Sequence, residues 1–269
     1  MFASALVAGR PTSLELLLSE TRRLVAPGGA IEILQRSAEA PQELDALRAA
    51  GYSVAVTRVE GDLVSSLAAV LQRTHHELVV SDCPRRPGLL GGLWRRLERE
   101  VLSRAPAFLL ARGEIGGGTI LFPRSQRETA GRVAQVAELA QTLDAEVALL
   151  QVTPCPLNAG VLRAHPEVLD GTAGRAGLEP ARRHLDQVGV PVRCLTSSDE
   201  VTPGILNAAS REQARLIVLT DPDPASLAHR VLGSRVSAVL RGAETSVLVF
   251  SPTACPASGS ASPRESLSA

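Results

Sequence analysis

Leu216-Ile-Val-Leu-Thr-Asp-Pro-Asp-Pro224, running on to Val231-Leu-Gly-Ser234, is the stretch that decides the fold of this chain. Four apolar residues bounded by turn formers read as a buried strand. The strand cannot continue past the two Asp-Pro pairs, because proline has no N–H to give a ladder. Gly233-Ser234 then reads as a small-residue turn into a helix over Val236 to Arg241. In an open α/β sheet the loop beyond such a strand end is where a ligand sits. The same arrangement stands earlier as Leu78-Val-Val-Ser-Asp-Cys-Pro-Arg85, with Arg95-Arg96 further on.

The two stretches are copies. Leu78-Val-Val80 falls on Leu216-Ile-Val218, Val101-Leu102 on Val239-Leu240, Ala105 on Ala243 and Gly51 on Gly189, all at one offset of 138 residues without a gap. A gapless match across several elements identifies a tandem duplication. Outward from the repeat, the first copy reads as strands at Ala5–Ala8, Ala30–Leu34, Tyr52–Val56, Leu78–Val80 and Ala107–Ala111. Between them lie helices: one opened by the capping box Thr12-x-x-Glu15, then Pro41–Ala50, Asp62–His75 and the arginine-rich Leu93–Arg104. After Gly116-Gly-Gly118 the pattern restarts with the strand Ile120–Phe122 and a second capping box, Ser125-x-x-Glu128. A helix marked by Val133, Val136, Ala137, Ala140 and Leu143 and the strand Val147–Gln151 follow. Strands alternating with helices imply parallel sheets. The expected domains are 1–115 and 116–252, with a disordered Ser/Ala/Pro-rich tail over 253–269. The second copy carries an insertion of roughly twenty residues around Cys155 to Glu179, expected as a surface loop or short helix.

Composition excludes several functions. Of 269 residues, 45% are hydrophobic, enough for two modest domains. Basic and acidic residues balance at 28 each and every cation other than histidine is arginine, so no net field draws the chain to nucleic acid or an anionic membrane. Aromatics make up 2%, too few for a base-stacking surface. Cys83, Cys155, Cys194 and Cys255 form no C-x-x-C, so neither a zinc site nor a disulfide framework is signalled. They read as reduced thiols, which with the absence of a basic leader or a ~20-residue apolar run gives a cytoplasmic chain without membrane insertion.

The second half resembles the universal stress protein family. The β-α order with five strands, Val231-Leu-Gly-Ser234 followed by a helix, and the closing strand Ser246–Phe250 after Ala243 carry the resemblance. In nucleotide-binding members a G-x2-G-x9-G-[S/T] motif follows the fourth strand. Its spacing survives here as Thr220-x2-Asp223-x9-Gly233-Ser234, with only the last two positions matching. The family's usual Asp at the end of the first strand falls on Ser125 or its neighbour Arg124. In the first half the motif positions hold Asp82, Arg85, Arg95 and Arg96. The resemblance implies two tandem five-stranded parallel-sheet α/β sandwich domains of the adenine-nucleotide alpha-hydrolase type. It also implies pairing through the fifth strands, Ala107–Ala111 with Thr245–Phe250, as an intramolecular pseudo-dimer; a homodimer is the other use of such an edge. A cofactor, ATP above all, would meet Ser125, Val152, Thr220, Asp221, Gly233 and Ser234.

The surviving Gly233-Ser234 can offer N–H donors and a helix N-terminus to a phosphate, each charged hydrogen bond contributing roughly 1.5–3 kcal/mol. Asp221 and Asp223 oppose this, since one like-charge contact at ~4 Å and an effective dielectric of about 20 costs ~4 kcal/mol. Pro222 and Pro224 also remove two donors. The expectation is weak or lost ATP binding, with an aspartate pair sharing Mg²⁺ as the alternative. The cluster Arg85, Arg86, Arg95, Arg96 and Arg99 around Gly88–Gly92 reads as a solvated helix face or as an anion site. His75-His76 reads as a helix end facing the dipole, or as a metal pair. His229 reads as a surface residue or as a ligand contact. Cys155 and Cys194, ending neighbouring strands in the implied fold, read as small core residues or as a redox pair. No Ser-His-Asp order, H-E-x-x-H or paired-carboxylate pattern stands out, so no catalysis is expected. The expected role is stress-associated regulation through protein partners or a small ligand. The alternatives are an ATP-binding or slowly ATP-hydrolysing switch, and an accessory regulator of a membrane transporter.

Overall fold

The structure, a computed structural model, describes residues 1–36, 43–61, 63–82, 104–124, 130–153, 172–220 and 235–251. Among the described residues ten strands run in chain order: β1 Phe2–Ala8, β2 Val25–Gln35, β3 Ser53–Arg58, β4 Leu78–Ser81, β5 Ala107–Leu110, β6 Gly118–Arg124, β7 Ala145–Val152, β8 Val192–Ser197, β9 Leu216–Thr220 and β10 Ser246–Phe250. They form a single sheet in the order β3-β2-β1-β4-β5-β10-β9-β6-β7-β8. Every neighbouring pair is parallel except β5 and β10. The central strands are continuous apolar runs because both faces are covered; β4, β5 and β10 are buried at every residue.

The helices cover the two faces. On one lie α1 Leu14–Leu24, α2 Glu43–Ala49, α4 Ala130–Leu143 and α5 Thr172–Gln187, with Leu17, Leu18, Leu47, Val136, Leu178 and Leu185 in the core. On the other lie α3 Leu63–Leu71, α6 Val201–Arg211 and α7 Arg235–Gly242, with Leu67, Ile205, Val239 and Leu240 inside. The duplication is visible down to backbone bonds. In the first half Tyr52 N–H donates to Leu47 O and Gly51 N–H to Arg48 O. In the second, Val190 donates to Leu185 and Gly189 to Asp186. Both are Schellman closures that require a left-handed residue, supplied by Gly51 at φ 88° and Gly189 at φ 76°.

The fifth strands pair as expected. Val247 lies opposite Leu110 and Leu248 opposite Leu109, antiparallel. At the repeat offset these are each other's equivalents, so a pseudo-twofold axis passes between Leu109 and Leu110 and buries the edge that either half would expose alone. The equivalent helices α1 and α4 pack on each other.

Several expectations are corrected. The capping box at Thr12 does not form: Pro11–Ser13 is a 3-10 turn and α1 starts at Leu14 with Ser13 as its cap residue. The helix expected to reach His75 ends at Leu71. The second strand begins at Val25, before Ala30. In the insertion, expected as a surface loop or short helix, α5 reaches back to Thr172 and its own Leu178 is fully buried. The helix over Leu93–Arg104, the box at Ser125 and the 253–269 tail lie outside the described residues.

Candidate functional site

The strand order places one topological switch point in each half. After β1 the chain steps outward to β2 and β3, then returns to β4 on the other side; after β6 it does the same with β7, β8 and β9. The carboxyl ends of β1 and β4, and of β6 and β9, are therefore where an α/β sheet opens to a ligand. The ladders align the two copies: Ala5 lies opposite Leu78 and Ile120 opposite Leu216, so Ala8 corresponds to Pro123, Gly9 to Arg124 and Asp82 to Thr220.

At the second switch point the strands part. The β6/β9 ladder holds Ile120–Leu216 and Leu121–Ile217 and goes no further, although both strands continue to Arg124 and Thr220. Pro123 explains this, since it lacks the N–H that the next bridge requires. Of the expected site positions, Val152 is the last residue of β7 and Thr220 the last of β9. Both are half-buried, and they flank the end of β6 at Arg124. Around Val152, sequence patterns had missed Ser197, Asp199 and Gly204. Ser197 Oγ bonds Asp199 Oδ2 at 3.1 Å and accepts Asp199 N–H at 3.2 Å. A Cβ on Gly204 would lie 3.1 Å from Ser197 Oγ and 3.3 Å from Val152 Cγ1, so glycine lets α6 start close against β7 and β8. Ser125, Asp221, Gly233 and Ser234 lie outside the described residues, as do Asp223, the arginine cluster from Arg85 to Arg99, His229 and Cys155.

The first switch point is zipped. The β1/β4 ladder runs to Ala8–Ser81, and Asp82 follows directly. Its carboxylate accepts the Arg10 backbone N–H at 3.3 Å, Arg10 Nε at 2.8 Å and the Ser13 hydroxyl. The Asp82 side chain is 7% exposed. Asp82 stood out in the sequence as a motif position; Arg10 and Ser13 carry no motif and gain meaning only once β1 and β4 lie side by side.

Other candidates resolve into structure. His76 is buried, its Nε2 3.0 Å from both Glu32 Oε2 and Thr74 Oγ1, and Glu32 also accepts the Thr57 hydroxyl at 2.7 Å. Among the described residues no group of His, Cys, Asp and Glu could hold a metal. Cys194 is half-buried within β8 and does not end it. Glu20 on α1 is fully buried; burial raises its pKa, against the opposing bond from Ile115 N–H and the charge of Arg23. At the amino ends of β6 and β7, the Thr119 hydroxyl and Arg193 lower the pKa of Glu146. No helix among the described residues is long and apolar enough to cross a membrane.

Comparison with known proteins gives the fold a family. The family model described as "Universal stress protein family" matches residues 118–251. A candidate universal stress protein of Pseudomonas aeruginosa UCBPP-PA14 shares the fold with a TM-score of 0.66 at 18% identity, over 93% of both chains. A universal stress protein of Archaeoglobus fulgidus DSM 4304 does so at 0.60 and 14%, over 92% of this chain and 96% of its own. The cytoplasmic domain of a prokaryotic cation chloride cotransporter matches at 0.53 and 13%, over 92% and 95%. No curated protein sequence matches.

Proposed function

Through residues 118–251 the chain belongs to the universal stress protein family, and from that premise we propose that it is a non-enzymatic regulatory binding protein of the stress response with weak or lost ATP binding. The observation that carries this reading is Arg124. It stands at the end of β6, and the resemblance places the family's aspartate on it or on its neighbour Ser125, neither of which is acidic. In the sequence, the motif span that cradles phosphate in nucleotide-binding relatives holds Asp221 and Asp223, carboxylates that oppose a phosphate. The scattered cysteines and balanced charge support a cytoplasmic location, and the internal β5/β10 pairing supports a chain that is its own pseudo-dimer.

Calorimetric titration of nucleotide-stripped protein with ATP, with and without Mg²⁺, tests the reading. The expected result is no saturable heat below millimolar nucleotide. Micromolar binding that is lost in Gly233→Asp would establish the nucleotide-switch alternative and make the aspartates Mg²⁺ ligands. A second reading has one observation in its favour. The fold likeness to a cotransporter's cytoplasmic domain extends over both halves of the chain, which supports a role as accessory regulator of a membrane transporter. Co-sedimentation with membranes from expressing cells, lost on stripping those membranes of protein, is its expected signature; a chain found wholly in the supernatant rejects it.

A further inference from the structure

The first switch point already contains an anion, and that anion belongs to the chain. We propose that the Asp82 carboxylate is a built-in occupant of the first domain's ligand position, holding that domain closed to external oxyanions such as phosphate. The inference concerns the first domain and stands whether or not the second binds nucleotide.

Placement comes first. Asp82 is the residue after the last β1/β4 bridge, Ala8–Ser81, at the point where the strand order reverses. Chemistry comes second. A backbone N–H and a guanidinium Nε from Arg10, with the Ser13 hydroxyl, converge on one carboxylate. Charge-assisted donors of this kind are what a phosphoryl or carboxylate ligand requires. Ser13 is the cap residue of α1, yet its side chain caps no helical N–H; its oxygen is turned to Asp82 Oδ2 and the Arg10 carbonyl. Exclusion comes third. A Cβ on Gly9 would lie 3.0 Å from Asp82 Oδ1 and 2.2 Å from Leu17 Cδ1, so the carboxylate and α1 close directly on the backbone at the end of β1. The equivalent residues in the second domain carry different chemistry: Thr220, a neutral side chain, stands for Asp82 and Arg124, a cation, for Gly9.

A local clasp without any ligand position behind it would show the same bonds, and an external anion separates the two. Thermal midpoints of the full chain are measured against inorganic phosphate, with chloride holding ionic strength constant, for wild type, Asp82→Ala and Asp82→Ala combined with Arg10→Ala. A ligand bound only to the folded state raises the midpoint in proportion to the logarithm of its concentration over Kd. Phosphate also stabilises folded chains generally by exclusion, and the double variant subtracts that contribution. Closure predicts that Asp82→Ala binds phosphate at least about tenfold more tightly than wild type, since a buried like charge no longer opposes it, and that Arg10→Ala abolishes the gain. Equal phosphate responses in wild type and a folded Asp82→Ala, or a gain that survives Arg10→Ala, would overturn the proposal. Should Asp82→Ala not fold, Asp82→Ser, which retains a small polar group, takes its place in the same titration and is read against the same outcomes.

Discussion

The two halves share a fold and an internal register, and they differ where their strands end. In the first, Ala8 keeps β1 bonded to β4 up to Ser81, Gly9 leaves room, and Asp82 fills it. In the second, Pro123 ends the β6/β9 ladder after Leu121, and Arg124 and Thr220 stand at the strand ends. A duplicated sheet conserves what the core requires, which is continuous apolar strands and glycine at the helix stops. It differs in the two or three residues at each strand end, outside that shared core. Those residues set the chemistry, so one scaffold presents a self-occupied position on one side and a parted, differently charged one on the other.

Exchanging the residues that make the difference should break it. The largest effect is expected from Ala8→Pro, which moves the ladder break of the second half into the first. Ala8 is fully buried and pairs with both Leu34 and Ser81, so proline would remove a donor inside a central strand. The lost ladder bond leaves a buried acceptor unsatisfied, an expected loss of about 1–3 kcal/mol, seen as a fall in the denaturant midpoint at unchanged m-value. A stability equal to wild type would mean that the first ladder contributes no more at its carboxyl end than the second. The reverse exchange, Pro123→Ala, should have a smaller effect of opposite sign. Restoring one N–H allows one further bridge, Phe122 to Val218, whose net contribution is about 1 kcal/mol. If the strands zip, the restored N–H at position 123 should donate to the Val218 carbonyl and be protected from hydrogen exchange. An unprotected N–H at position 123 with unchanged stability would show that Arg124 or the loops, and not Pro123, hold the strands apart.

Much of this was legible beforehand, and the exceptions have physical causes. Strand alternation and the repeat offset follow from apolar runs and glycine stops, which are local signals reinforced by duplication, whereas the β5/β10 pairing was implied by the family resemblance. Thr12 failed as a cap because Pro11 favours a tight turn and Ser13 lies closer to the helix start. Ser13 also has a partner, Asp82, that is 69 residues away in sequence. The insertion left loop and short helix open because its residues lack apolar periodicity, and the burial of Leu178 has no signal of its own in the sequence. Thr220 could be placed at a strand end from motif spacing, since spacing survives when residue identity does not, whereas Val152 was implied by the family resemblance. Arg10 and Ser13 could not, because a site built from the ends of two non-adjacent strands has no signature along the chain.

The smallest expected effects are pH-dependent, and they carry the comparison into the titration of single groups. Glu20 in the first half and Glu146 in the second are both glutamates with an ordinary value of 4.5, moved in opposite directions. Glu20 is enclosed, so the folded chain retains a proton that the unfolded chain releases. Its contribution to stability is full below about 4.5 and is lost as pH rises through the folded value. Glu146 accepts the Thr119 hydroxyl at 2.7 Å and faces Arg193, so its contribution is full above about 4.5 and is lost as pH falls through the folded value. With its side chain 36% exposed, solvent screens it and its effect should be the weaker of the two. Urea midpoints across pH 3 to 8, taken as wild type minus Glu20→Gln and wild type minus Glu146→Gln, should therefore give difference profiles of opposite slope, with the Glu146 profile shallower. Two profiles of the same sign would mean that Glu20 ionises freely at the linker contact with Ile115, and that the first half does not enclose its carboxylates as tightly as Asp82 and Glu20 together indicate.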